Sequence, residues 1–255
     1  MKHVFFILIK GGSMKKVFMD VSKSFNEGLK KVDNKTKNGI ETLHFLVNET
    51  NEKKLKRIRG DYYSINFDYV TLHTKEKYIK KELMKILNVL FKDSKPARPL
   101  IIGLGNSSVL CDSLGVHTTN KVMSTNHFND FLNIPKVAIF NPEVTEKTGI
   151  SSFSLIEMVV NKLNPTVIIM IDTLATDNDS YLNNCIEINN TGIIPGSAIK
   201  ENKKIDKNTF NIPVIAIGVP LVIERNKNLY TTPNVHEVID LTSKIISDAL
   251  NDLFF

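Results

Sequence analysis

Short runs composed almost entirely of isoleucine, valine and leucine recur in the second half of the chain. They constrain its fold more than any other feature. They fall at residues 100–104, 167–171 and 213–218, and segments with the apolar spacing of helices separate them. Strands that are apolar at every position are buried on both faces, as in a parallel sheet covered by helices on both sides. The pattern therefore predicts an α/β fold with a largely parallel central sheet and helices on both faces.

The expected elements divide the chain into three parts. Residues 99–255 carry the α/β pattern and are predicted to form the main domain. Residues 14–98 form a small basic extension with one or two strands and a helix, which can belong to the same sheet. Residues 1–13 hold only six consecutive apolar residues, fewer than the ~7–15 of a secretion signal. We interpret them as a translated leader and expect Met14 to be the true start.

Charge is distributed unevenly along the chain. Residues 1–100 carry 22 Lys and Arg against 11 Asp and Glu, a net +11, whereas residues 101–255 carry a net −5. A basic region can attract a polyanion. Because no aromatic residues alternate with the basic ones, direct nucleic-acid binding is not expected. No stretch approaches the ~20 apolar residues of a membrane span, so no membrane association is expected either.

Two aspartates, Asp112 and Asp172, stand in short turn-like segments that follow apolar runs. The carboxyl ends of parallel strands meet at one edge of a sheet, where open α/β folds bind their ligands. Two carboxylates from different strands can converge there and divide acid and base chemistry between them. The alternative is that one aspartate caps a helix and the other opens a turn. Spacing alone leaves both interpretations open.

Other chemical motifs are incomplete. Residues 103–108 begin like a dinucleotide fingerprint but lack its third glycine, and no acidic residue follows at the ribose-binding distance. The sequence contains no Walker lysine motif, no Gly-x-Ser-x-Gly elbow and no metal-binding histidine pair, and its two cysteines form no metal or disulfide pattern. We therefore expect no cofactor, no metal and a reducing compartment. Residues 191–197 form a tight loop that can hold a peptide or an oxyanion, or can be a surface turn.

Six segments in a fixed order carry a family resemblance. They are Gly103-Leu-Gly-Asn106, Asp112-Ser-Leu-Gly115, Thr148-Gly-Ile150, Ile171-Asp-Thr-Leu-Ala175, Thr191-Gly-Ile-Ile-Pro-Gly-Ser197 and Pro213-Val-Ile-Ala-Ile-Gly-Val-Pro220. Together they resemble the spore germination endopeptidases, over roughly residues 60–253. Two positions depart from the family pattern. Ser107 stands where the family has a bulky residue, and Cys111 stands where it has proline.

The resemblance implies a fold related to the hydrogenase-maturation peptidases and an atypical aspartic endopeptidase. Such an enzyme degrades small acid-soluble, DNA-binding spore proteins in the cytoplasm of the spore core, is made as a zymogen and assembles into homotetramers. The family's catalytic aspartates fall on Asp112 and Asp172. We expect substrate contacts from Asn106, Thr173, Gly192 and Ser197. Two alternatives stay open: a homologue that binds spore proteins without cleaving them, and a metal-dependent peptidase with the aspartates as ligands.

Overall fold

The structure is a computed structural model that describes residues 7–9, 31–55, 57–92, 95–128, 134–194, 203–226 and 228–255. Its strands are β1 (Ile7–Ile9), β2 (Lys31–Lys37), β3 (Ile40–Val47), β4 (Gly60–Asn66), β5 (Pro99–Gly103), β6 (Ala138–Phe140), β7 (Val167–Thr176), β8 (Cys185–Asn189), β9 (Val214–Arg225) and β10 (Asn228–Thr231). Its α-helices are α1 (Glu52–Leu55), α2 (Leu72–Leu90), α3 (Leu114–Thr119), α4 (Thr145–Thr148), α5 (Ser152–Leu163), α6 (Lys207–Phe210) and α7 (Val235–Phe254). Two 3₁₀ turns span Tyr69–Thr71 and Leu110–Asp112.

The ten strands formed by the described residues belong to one sheet. The order is β2-β3-β4-β8-β9-β7-β5-β6, with β10 paired to β9 and β1 paired to β10. Strands β6, β5, β7 and β9 are mutually parallel. The carboxyl ends of these four strands consequently lie along one edge of the sheet.

Alternate residues of β7 enter separate cores on the two faces of the sheet. Ile169 and Ile171 belong to a cluster that includes apolar residues of α2 and α7. Ile168 and Met170 belong to a second cluster, which includes Phe153 and other residues of α5. The predicted α/β class with helices on both faces is confirmed.

The expectation of a largely parallel sheet holds only for the four strands named above. Strands β2, β3, β4 and β8 each pair antiparallel with their neighbours, as does β10 with β9. The reason lies in the connections, since β2 and β3 are joined by a two-residue turn and such a turn permits only antiparallel pairing. That turn is Asn38-Gly39, and both residues have positive φ, at 55° and 71°. The sequence pattern missed β2 because its seven residues are almost all polar.

The structure extends two of the expected strands. Strand β7 continues to Thr176 and β9 to Arg225, so Asp172 lies inside β7 and not beyond its end. The helix that follows Asp112 begins at Leu114. The Ser151 hydroxyl caps α5, because it accepts a hydrogen bond from the Ser154 N–H. In the part of the chain that the structure describes, none of the helices combines the length and apolarity that crossing a membrane requires.

Candidate active site

Asp172 occupies a position on β7 where the neighbouring strand carries no side chain. It pairs with Gly218 of β9, which pairs in turn with Glu187 of β8. A methyl group on Gly218 would lie 2.6 Å from the Leu174 side chain, so Leu174 packs over the glycine. The Asp172 carboxylate therefore has an apolar neighbour on its own strand. It remains only partly exposed to solvent.

Asp112 reaches the same edge of the sheet from the loop that follows β5. This loop turns back at Gly105, which has φ of 105° and packs so closely that a Cβ would lie 1.9 Å from the Asp112 carbonyl oxygen. The Asn106 backbone N–H donates a hydrogen bond of 2.9 Å to Asp112 Oδ2. The carboxylate thus closes the loop that carries it. Asp112 does not cap α3, whose first flanking residue is Ser113, without a side-chain cap bond.

Close backbone packing brings the two aspartate-bearing segments together. The Leu104 N–H donates to the Ile171 carbonyl at 2.8 Å, which joins the end of β5 to the residue before Asp172. Helix α3 packs against these two segments at Gly115. A Cβ atom on Gly115 would lie about 2.5 Å from the carbonyl oxygens of Leu104 and Ile171. Only a residue without a side chain permits that approach. The sequence signal for this packing was the glycine that ends the Asp112-Ser-Leu-Gly115 segment.

The two carboxylates influence each other and titrate far from the usual range of aspartate. Burial is the main cause that raises the pKa of Asp112 to about 6, against the lowering effect of the Asn106 N–H. Burial also raises the pKa of Asp172 well above its ordinary value, and the negative charge of Asp112 raises it further. The Thr173 N–H, which donates to Asp172 Oδ1 at 2.8 Å, opposes this shift. Asp112 is therefore mostly ionised at neutral pH, and its charge favours the protonated form of Asp172.

Upward pKa shifts with an unequal cause for each carboxylate suit the pair to divide the roles of base and acid. An ionised carboxylate can take a proton from a water molecule, and a protonated carboxyl can donate one to a reacting oxygen or nitrogen. Pairs of titratable groups whose environments separate their pKa values are characteristic of acid–base catalysis. The arrangement therefore suits hydrolysis of an amide bond. In that reaction the base deprotonates the water and the acid stabilises the carbonyl oxygen or the leaving amine.

A third carboxylate, Glu143, lies close enough to Asp112 for its charge to raise the pKa of Asp112, and it was not identified from the sequence. Its Oε2 accepts hydrogen bonds from the Ser107 N–H at 3.2 Å and from Lys147 Nζ at 3.1 Å. Lys147 Nζ also donates to Ser107 Oγ at 2.5 Å, so three side chains tie the Asp112 loop to the segment after β6. Glu143 has φ of 59°, a strained conformation for a residue with a side chain. We define this group of Ser107, Glu143 and Lys147 as the loop clasp.

Replacing Glu143 with glutamine is expected to lower the pKa of Asp112 below about 6. The charge of Glu143 is among the causes that raise this pKa, and glutamine removes it while keeping an oxygen for the Ser107 N–H. The measurement is a carbon-13 NMR titration of the Asp112 carboxyl carbon. Glu157→Gln, at an exposed position of α5, serves as the charge-matched control and should leave the titration unchanged. An equal or higher pKa in Glu143→Gln would show that the clasp does not tune Asp112.

The other residues expected from the sequence have different placements. Asn106 and Thr173 contact the aspartates, in both cases through their backbone N–H groups. The Thr173 hydroxyl is buried and has no hydrogen-bond partner among the described residues. Gly192 lies away from the aspartates, because β8 runs antiparallel to β9 and Asn189 already pairs with Ala216, two residues before Gly218. Ser197 lies outside the described residues.

Cysteine chemistry finds little support at this site. Burial raises the pKa of the Cys111 thiol to about 11, and the charge of Asp112 adds to the shift, so the thiol is not activated as a nucleophile. Cys111 is a buried side chain. Among the described residues, no three or more His, Cys, Asp and Glu side chains cluster in a way that would hold a metal ion.

Comparison with known proteins places these features in a family context. The family model for germination proteases (Peptidase_A25) matches residues 14–241. Curated germination proteases with similar sequences include that of Clostridium tetani, 32% identical over 188 residues and 70% of this chain. Those of Clostridium acetobutylicum and Caldanaerobacter subterraneus are 30% and 31% identical over 82% and 78% of this chain. The aligned parts of this chain span 58%, 68% and 65% of the lengths of these three relatives.

Among solved structures, a NiFe hydrogenase maturation protease from Thermococcus kodakarensis KOD1 aligns with this chain at 16% identity and a TM-score of 0.43. The alignment covers 65% of this chain and 98% of the archaeal protein.

Proposed function

The chain belongs to the germination protease family, and from that premise we propose that it is an endopeptidase in which Asp112 and Asp172 hydrolyse the peptide bond. The observation that carries the proposal is the pair of carboxylates with raised pKa values. Two partly exposed carboxylates from separate elements influence each other's ionisation and have pKa values displaced upward. A structural hydrogen-bonding role typically lowers the pKa of a carboxylate. The observed direction is the opposite, and it is the direction that acid–base catalysis uses.

The proposed mechanism assigns a separate step to each aspartate. Ionised Asp112 removes a proton from a water molecule, whose oxygen forms a bond to the carbonyl carbon of the scissile peptide. Protonated Asp172 donates its proton toward the carbonyl oxygen as negative charge develops there. When the carbon–nitrogen bond breaks, the proton on Asp112 passes to the leaving amine. Asp172 regains its proton as the carbonyl re-forms, which restores the starting state.

We propose small acid-soluble spore proteins as the substrates, within the spore core, because membership of the family supports this class. Homotetramer assembly and synthesis as a zymogen belong to the same proposal. Asn106 and Thr173 are proposed to position the substrate near the aspartates. Gly192 and Ser197 are proposed to contact more distant parts of a protein substrate, since Gly192 lies towards the opposite edge of the sheet.

The proposal is tested by incubating the purified chain with an acid extract of spore proteins and identifying fragments by mass spectrometry. We expect a small number of defined internal cleavages in the spore proteins and far fewer in unfolded casein, the specificity control. Activity should persist with a chelator present, because the proposed chemistry uses carboxylates alone. Loss of activity with the chelator and its recovery with added zinc would instead indicate a metal-dependent peptidase. Stable binding of spore proteins without any cleavage would indicate a non-cleaving homologue.

A further inference from the structure

Four lysines of the N-terminal half line one groove, between the β2–β3 hairpin and helix α2. Lys37 from the hairpin and Lys77, Lys81 and Lys85 from the helix line a cavity of about 400 Å³, together with Tyr78. We call this surface the lysine groove. A second cavity of about 380 Å³ shares Lys85 with it, so the depression continues along the helix. Lys37 and Lys77 are 40 positions apart in sequence, and only the fold brings them together.

Most of this charge is not neutralised. Lys85 forms an ion pair with Glu82 at 2.6 Å. Lys37, Lys77 and Lys81 are exposed and take part in no ion pair within the described residues. Glu82 is the one acidic side chain lining the lysine groove in that part of the chain. Exposed ammonium groups that no carboxylate neutralises create a positive electrostatic potential, which favours a polyanionic partner.

The lysines also have a regular spacing. Lys77, Lys81 and Lys85 are four residues apart on α2, so they share one face of the helix at intervals of about 6 Å along its axis. The partner that best fits is a polymer with a negative charge on every unit. Tyr78 supplies a single exposed ring, fewer than the series of stacking platforms that single-stranded nucleic acids require. Phosphate contacts to a duplex require only well-placed cations.

We propose that the lysine groove binds the phosphate backbone of double-stranded DNA without reading its sequence. The sequence has no basic motif interleaved with aromatic residues, so it did not predict direct nucleic-acid binding. The fold adds an observation that the sequence alone does not give, which is the grouping of lysines from the hairpin and from α2 along one groove. Strands β2 and β3 lie at the far end of the sheet from β5 and β6, and β3, the nearer of the two, is four strands from β7. Bound DNA would therefore leave the Asp112–Asp172 edge accessible. The proposal is independent of peptidase activity.

The test is fluorescence anisotropy of the full chain with a short labelled duplex of arbitrary sequence. We expect a Kd in the ~10⁻⁴–10⁻⁶ M range of non-specific binding, with affinity falling steeply between about 50 and about 200 mM salt. Each phosphate contact contributes about −0.9 to the slope of log K against log salt. Lys77→Gln/Lys81→Gln should therefore make the slope shallower by about 2. Both residues are exposed, so circular dichroism should show an unchanged fold.

The matched control removes the same charge elsewhere. Lys162→Gln/Lys207→Gln changes two exposed lysines on α5 and α6, helices that contribute to the core on one face of the sheet, whereas α2 contributes to the core on the other. It should retain the wild-type salt slope. Equal slopes for the two double variants, or no duplex binding at low salt, would overturn the proposal. Tighter binding of polyglutamate or of a single strand than of duplex would also overturn it, because each would identify a different occupant.

Discussion

Asp112→Asn and Asp172→Asn are each expected to remove nearly all peptide hydrolysis while leaving the fold intact. Asparagine has almost the size of aspartate and keeps an oxygen for the Asn106 or Thr173 N–H. It can neither accept the proton of water as a carboxylate does nor donate a carboxyl proton. Loss of general acid–base help typically lowers rates by ~10²–10⁴. Because both groups act in one step, the double variant should hydrolyse peptide only slightly more slowly than either single variant.

Turnover is measured on an internally quenched peptide that spans a cleavage site found in the spore-protein digest. Asp248→Asn provides a control of identical chemistry, since Asp248 is partly exposed and forms an ion pair with Lys244 on α7, outside the candidate site. That control should cleave at the wild-type rate. If either Asp112→Asn or Asp172→Asn kept near-wild-type turnover, the substituted aspartate would have no part in the mechanism, whatever its position in the structure.

Asp112→Asn is also expected to make the protein more stable above pH 6. The folded-state pKa of Asp112 is about 6 and its ordinary value is 3.8, so the folded state binds the proton more tightly than the unfolded state does. The free energy of unfolding of the wild type therefore falls as pH rises through this interval, and the loss is complete above pH ~6. At about 1.4 kcal/mol per pH unit the variant should gain at most about 3 kcal/mol. Solvent screening of the partly exposed carboxylate reduces this figure.

Urea unfolding of wild type and variant at several pH values tests this expectation. The difference in the free energy of unfolding should be near zero at pH 4 and should grow to its full size by pH 7. A carboxylate with a purely structural role would behave oppositely, and its replacement would cost stability at neutral pH. A variant less stable than the wild type at pH 8 would therefore contradict the interpretation of Asp112 as a destabilised catalytic group.

The sequence pattern was sufficient for the parts of the fold that burial dictates. Strands β5, β7 and β9 have apolar side chains at almost every position, and such runs can be stable only inside a covered sheet. The helix α2 follows from its apolar spacing in the same way. Strand β2 could not be found by this reasoning, because its residues are mostly exposed and it is held by pairing with β3 through the Asn38-Gly39 turn.

The candidate site was only partly accessible from sequence. Asp112 and Asp172 were identified because they follow apolar runs in segments that match a family pattern. Glu143 was not, since an isolated acidic residue in a loop is ordinary and its role depends on contacts with Ser107 and Lys147. Gly192 was grouped with the aspartates because spacing along the chain does not reveal strand direction. The antiparallel placement of β8 carries the loop after it towards the opposite edge.

That same placement of β8 has a consequence for synthesis on the ribosome. Strand β4 pairs on one side with β3 and on the other with β8, and their contacts include the hydrogen bond from the Asp61 N–H to Asn190, 129 residues later. A nascent chain elongated at ~5–20 residues per second completes the β2–β4 meander many seconds before β8 emerges. Throughout that interval β4 presents an unpaired edge, which other chains can join. The early part of the polypeptide therefore depends for its pairing on a strand that is synthesised much later.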